Sequence, residues 1–150
     1  FDIEDFDRVF AINVRGSFLG AAAAVRQMTT QADKGKIVFT ASIAGPKSDA
    51  GVTVYTASKH AMTGLTRSTA LDGRKYDIAC GQIDVGNAAT ELTARMAEGV
   101  PQADGSLASE PRMDVEHVAR AVLYMASLPL DANVQFLTIL ATKMPFVGRG

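Results

Sequence analysis

The sequence predicts an α/β fold built around a parallel sheet. Two short apolar runs, one within 35–45 that ends in Ser42 and a glycine turn and the other at 76–83, are bounded by polar or glycine-containing turns and have the length and composition of buried strands. The stretch between them, to about Lys75, reads as a helix. Strand, helix, strand at this spacing is a right-handed parallel crossover.

Taken in order, residues 3 to about 30 form one long helix. Its acidic first turn (Glu4, Asp5, Asp7) suits the positive end of the helix dipole. Phe6, Phe10, Asn13, Ser17 and Gly20 share one stripe, with Val9 and Val14 alongside. Asparagine is disfavoured inside a helix. The ordinary reading of Asn13 is a solvent-facing polar residue, and its place on the apolar stripe argues against that. After a turn at 33–36, the first strand delivers Ser42 at its carboxyl end, where ligands sit in open parallel sheets. Residues 45–54 are a polar loop with Pro46 and Gly51. In the following helix the alanines, Gly64, Ser58 and Ser68 permit close helix approach on one side. Residues 91–112 mix a short helical stretch, 91–98, with Gly99, Pro101, Gly105 and Pro111, the composition of a mobile lid or a plain solvated linker. Asp114 caps a last helix with the face Val115, Val118, Val122 and Met125; Pro129 stops it, and 133–139 is the last strand.

Tyr55 and Lys59 carry the chemistry. Four residues apart on a helix, they lie on one face. A cation beside a phenol favours the phenolate. Bringing a tyrosine from about 10 to near 7 takes roughly 4 kcal/mol. One unit charge ~4 Å away, at an effective dielectric of about 20, supplies roughly that amount. The pair therefore makes a general acid/base for neutral pH. Ser42, thirteen residues before Tyr55, is placed to hydrogen-bond the same substrate oxygen. The plain alternative is an amphipathic helix with one exposed lysine.

With these residues in place, the chain resembles the classical short-chain dehydrogenase/reductase family over essentially its whole length. Asn13, within Ala11-Ile12-Asn13-Val14-Arg15-Gly16, falls at the family's active-site asparagine. Ser42, Tyr55 and Lys59 match its serine, tyrosine and lysine. Gly86 and Thr90 match its proline-glycine-x-x-x-threonine stretch, with Val85 where proline is usual. The resemblance implies an NAD(P)-dependent oxidoreductase acting on a secondary alcohol or ketone, with catalytic Asn13, Ser42, Tyr55 and Lys59. It implies cofactor contacts from Tyr55, Lys59, Val85, Gly86, Ala88 and Thr90, the backbone at Ala88 meeting the carboxamide. It implies that Asn13 locally breaks its helix and holds a water linked to the lysine. Thr90 also reads as the N-cap of the segment starting at Glu91, and both roles are compatible. The resemblance further implies a substrate lid at 91–112, with Met96 and Leu107 as its substrate-facing apolar residues, and a homodimer or homotetramer.

The family's opening glycine-rich turn, threonine-glycine-x-x-x-glycine-x-glycine, has no counterpart. The expectation is therefore the C-terminal part of a doubly wound Rossmann-type parallel sheet, its N-terminal half missing, with residues 1–150 forming part of a single domain. The first strand, through Ile37-Val38-Phe39, should lie at a sheet edge, and the chain alone should be inactive. NAD and NADP are not distinguished, because the residue that separates them belongs to the missing half. Two other readings stand beside this one: an extended-type epimerase or dehydratase, which shares Tyr-x-x-x-Lys, and a non-catalytic half-domain that serves only oligomerisation.

Bulk properties narrow the class. Acidic and basic residues nearly cancel, 16 against 15, and no basic block stands out, which argues against a nucleic-acid or membrane-surface partner. No apolar run is long enough to span a bilayer. The single cysteine, Cys80, lies in an apolar strand and reads as a buried inert thiol of a cytoplasmic protein. His60 and His117 gather no ligand cluster, so no metal site is expected.

Overall fold

The computed structural model describes residues 2–48, 51–102 and 104–148. The expected long helix is present but interrupted. Helix α1 (Ile3–Phe10) is capped by Asp2, whose carboxylate accepts the Glu4 N–H. It runs through a π-helical turn at Ala11–Arg15 into α2 (Gly16–Thr30). The interruption falls on Asn13, where the resemblance implied a local break.

Strand β1 (Gly35–Ser42) is followed by helix α3 (Thr53–Gly73) and strand β2 (Ile78–Gly86). The α-helix ends two residues before Lys75; a 3-10 turn, Arg74–Tyr76, closes it, and Asp77 takes a left-handed conformation, φ 57°. That turn consumes the residues expected to open the strand, so β2 starts at Ile78 rather than at residue 76. At its other end β2 outruns the expected boundary. Val85 retains the N–H that proline would lack, and the strand stays in register with β1 to Val85 and with its other neighbour to Gly86.

Short strands β3 (Ala88–Ala89), β4 (Val100–Pro101), β5 (Leu107–Ala108) and β6 (Met113–Asp114) organise the next stretch. β3 pairs with β6 in parallel and β4 with β5 antiparallel. The expected helical piece at 91–98 is a 3-10 helix, Glu91–Ala97. Helix α4 (Val115–Ser127), capped by Asp114, leads to β7 (Phe136–Leu140), shorter at its start than expected because Asn133 lies outside the ladder and donates instead from Nδ2 to the Cys80 carbonyl, 2.7 Å.

The main sheet has the order β1-β2-β7, all parallel, so β1 is an edge strand among the described residues. Helices cover both faces. Cys80 clusters with Phe39, Ala41 and Met62 of α3, with Val14 and Ala21 packed alongside. Gly81 points the other way along the pleat, and Met125 of α4 reaches within 3.1 Å of where a Gly81 Cβ would stand. Met62 and Met125 are 1% and 2% exposed, each burial contributing about 1.5–3 kcal/mol. A second cluster, Ile43, Ala141 and Met144, closes the carboxyl end of the sheet.

Candidate active site

Four sequence features converge on the amino-terminal half of α3. Tyr55 sits in its first turn, 40% exposed. Lys59 follows one turn later, its Nζ 5.7 Å from the centre of the Tyr55 ring and donating to the Thr40 carbonyl at 3.2 Å. Burial holds the Lys59 ammonium below its ordinary pKa, since a desolvated cation releases its proton more readily.

Ser42 ends β1. Its Oγ accepts the Ala44 N–H at 3.2 Å, and the Gly45 N–H returns to the Ser42 carbonyl at 2.9 Å. This turn lies directly on α3. A Cβ at Gly45 would stand 3.2 Å from the Ser42 carbonyl oxygen and 3.3 Å from that of Lys59, closer than an ordinary contact. His60 Nδ1 bonds the Gly45 carbonyl at 3.1 Å. The Ser42 turn is thus fastened beside Lys59 by a close backbone approach and one side-chain bond.

Asn13 approaches from the π turn. Its Nδ2 donates to Ser58 Oγ at 3.0 Å, and Ser58 Oγ donates to the Tyr55 carbonyl at 2.7 Å. The Asn13 carbonyl accepts from Ser17 Oγ at 2.6 Å. The asparagine is therefore tied to α3 between Tyr55 and Lys59, through a serine that is 0% exposed.

The other residues expected at the cofactor lie at and just after the end of β2. Gly86 is enclosed: a Cβ there would stand 2.8 Å from Leu140 Cβ, 2.9 Å from Met144 Sδ and 3.0 Å from Ile43 Cδ1. Asn87 turns the chain with φ 53°, its Nδ2 donating to the Pro111 carbonyl at 3.2 Å. Thr90 caps the 3-10 helix. Its N–H donates to Thr93 Oγ1 at 3.0 Å, while Thr93 Oγ1 donates to the Ala88 carbonyl at 2.6 Å. Of the two residues expected on a lid, Met96 is half-buried and Leu107 is 73% exposed.

These positions suit the nicotinamide–ribose end of a dinucleotide. Lys59 and Tyr55 flank one side of the carboxyl end of the sheet. The backbone from Gly86 to Ala88 passes without a side chain at its tightest point.

Sequence reasoning took Ser58 only as a small residue for close helix approach and missed its hydrogen bonds, and it missed a buried polar group on β2. Gln82 and Asp84, 2% and 6% exposed, are joined by Gln82 Nε2 donating to Asp84 Oδ1 at 2.8 Å, and Thr66 Oγ1 donates to Gln82 Oε1 at 3.0 Å. Burial pushes the Asp84 carboxyl above its ordinary pKa, and the Gln82 bond pulls it partly back. The signal was available: two polar residues at a spacing of two in an apolar strand mark one face as hydrogen-bonded. Burial also pushes the Cys80 thiol up to about 12. Among the described residues no group of histidine, cysteine and carboxylates could hold a metal ion, and no helix is long and apolar enough to cross a membrane.

A sequence model described as short chain dehydrogenase matches residues 1–101. The (3R)-3-hydroxyacyl-CoA dehydrogenase of Rattus norvegicus is 34% identical over 125 residues, 83% of this chain and 48% of that protein. Short-chain dehydrogenase reductase 3a of Arabidopsis thaliana is 37% identical over 132 residues, covering 84% of this chain and 51% of that protein. Among solved structures, acetoin dehydrogenase from Enterobacter cloacae superposes with a TM-score of 0.76 at 25% identity, over 93% of this chain and 55% of that one. The chain spans about half the length of the curated relatives it matches. With parallel strands between helices, and Asn13, Ser42, Tyr55 and Lys59 gathered at one end of them, the chain belongs to the short-chain dehydrogenase family.

Proposed function

We propose that this chain supplies the proton-transfer centre of an NAD- or NADP-dependent oxidoreductase acting on a small secondary alcohol or ketone. The observation that carries the reading is the Lys59 ammonium held beside the Tyr55 ring, on the helix against which the Ser42 turn and Asn13 are both fastened. The nicotinamide, when bound, supplies or accepts the hydride at the substrate carbon. Tyr55 Oη gives its proton to the carbonyl oxygen in reduction and takes it from the hydroxyl in oxidation. Ser42 Oγ donates a hydrogen bond to the same oxygen. Lys59 stabilises the phenolate and holds the cofactor ribose, with Gly86, Ala88 and Thr90 shaping the loop against the nicotinamide. Asn13 fixes the start of α3 through Ser58 and supports the water-linked route to Lys59.

In this reading the 150 residues are part of one dinucleotide-binding domain, with 91–112 as its substrate lid. A buried free thiol at Cys80 fits a reducing cytoplasm. Exposed Phe18, Leu123, Tyr124 and Phe136 fit a homodimer or homotetramer.

The test is Tyr55→Phe in the full-length protein, which keeps the ring and removes the proton. General acid/base groups typically contribute about 10²–10⁴-fold, so kcat should fall by at least that range with cofactor affinity little changed. A variant retaining most of its turnover on ketones and alcohols that the parent converts would overturn the assignment.

A further inference from the structure

The structure assigns an anion-binding subsite to the cavity between the carboxyl end of β7 and the start of α4, suited to a carboxylate or phosphate joined to an apolar segment. The cavity holds about 360 Å³; Arg112, His117 and Lys143 line it together with Met113, Ile139 and Leu140, and no acidic side chain is among its lining residues. Two nearby carboxylates are engaged elsewhere. Glu116 pairs with Arg120 at 3.2 Å, and the Asp114 side chain accepts the Glu116 N–H at 2.9 Å. Arg112 is anchored by one long bond, Nη1 to the Thr93 carbonyl at 3.4 Å. Among the described residues neither Arg112 nor Lys143 has an acidic partner. Two cations outside any ion pair, over an apolar floor, leave electrostatic attraction and apolar area for one ligand to satisfy together. Thr142 adds a hydroxyl to the rim.

A second cavity of about 410 Å³ shares Pro111, Thr142 and Lys143 with the first and is lined also by Glu110 and Met144. Met144 Sδ is 2.9 Å from where a Gly86 Cβ would stand. The subsite thus adjoins the loop at the end of β2, and an anchored anion would lay its apolar segment on the Met113, Ile139 and Leu140 floor. The inference stands apart from the proton-transfer reading, because binding is read directly and needs no turnover.

Calorimetric titration of the full chain with hexanoate, hexyl phosphate, hexan-1-ol and inorganic phosphate tests it. Hexanoate or hexyl phosphate should bind at least about tenfold more tightly than hexan-1-ol, and the tighter of the two identifies the oxyanion. Arg112→Gln and Lys143→Gln should each weaken binding about three- to tenfold. The amide signals of Thr142 and Lys143 should shift on titration. Both side chains are exposed, so the variants keep the fold, and circular dichroism checks this. Equal affinity for hexanoate, hexyl phosphate and hexan-1-ol would overturn the inference. Unchanged affinity in the double variant would do the same, and inorganic phosphate matching hexyl phosphate would refute the apolar floor.

Discussion

Replacing Gln82 by leucine tests how the carboxyl end of β2 is held. Leucine keeps the apolar packing and is close in size, so the change falls on hydrogen bonds. Gln82 donates to Asp84 Oδ1 at 2.8 Å and to Thr63 Oγ1 at 3.3 Å, and accepts from Thr66 Oγ1 at 3.0 Å. Thr66 keeps its bond to the Met62 carbonyl, 2.8 Å. The loss therefore concentrates on Asp84, 6% exposed, whose Oδ1 is stripped of this donor. A buried acceptor left unpaired costs about 1–3 kcal/mol, and more when charged, so about 2–4 kcal/mol of stability should go.

The pH dependence follows from the raised Asp84 pKa. The folded protein holds this proton more tightly than the unfolded chain does. Stability from the group is full below the unfolded value of about 3.9 and is lost as pH rises through the folded value. Without Gln82 the folded value climbs further, so Gln82→Leu should cost more at pH 7 than at pH 4. Urea denaturation of the parent, both single leucine variants at 82 and 84, and the double variant closes the cycle. The double should lose less than the sum of the singles by about 1.5–3 kcal/mol, because replacing both partners strands neither. Additive losses, or a Gln82→Leu cost within about 0.5 kcal/mol at both pH values, would refute the reasoning.

Other outcomes follow from the same geometry. Desolvation lowers the Lys59 pKa, so the folded state is penalised while the ammonium persists, and the penalty fades as pH rises towards about 10.4. Lys59→Met should therefore raise stability at pH 7 by about 1 kcal/mol while abolishing turnover, the gain in melting temperature shrinking in strong base. Gly86→Ala places a Cβ within 3.0 Å of three side-chain atoms. It should cost about 1–3 kcal/mol by overpacking, and titration should show weaker cofactor binding as the loop at 86–90 shifts.

The sequence made the parallel crossover legible because both strands are apolar runs and the intervening helix has the length to return. It made Tyr55, Lys59 and Ser42 legible because their spacing is set within single elements or one short connection. Ser58 was hidden: its role depends on Asn13 arriving from a helix 45 residues away, and no local pattern reports that approach. The end of β2 was misjudged because Asp84 resembles a turn residue. Only the burial of its strand between β1 and β7, with Gln82 as partner, makes a carboxyl acceptable there. The 3-10 geometry of 91–97 was illegible for a similar reason, since it is set by Thr93 bonding back to Ala88 and Thr90.

The π turn at Ala11–Arg15 changes how this chain tolerates insertions and deletions. The Gly16 N–H reaches back five residues to the Ala11 carbonyl, one more than an α-helix uses. Each helical residue advances the side-chain direction by about 100°, so the extra residue offsets α2 from α1 by about that angle. The rod carries two phases. One sets Phe6 stacked on Phe10, and the other turns Ala21 towards the core. Removing one residue here would regularise the hydrogen bonding, yet it would swing α2 off the sheet and carry Asn13 away from Ser58. The number of residues in this turn is therefore a functional parameter in its own right, separate from their identities.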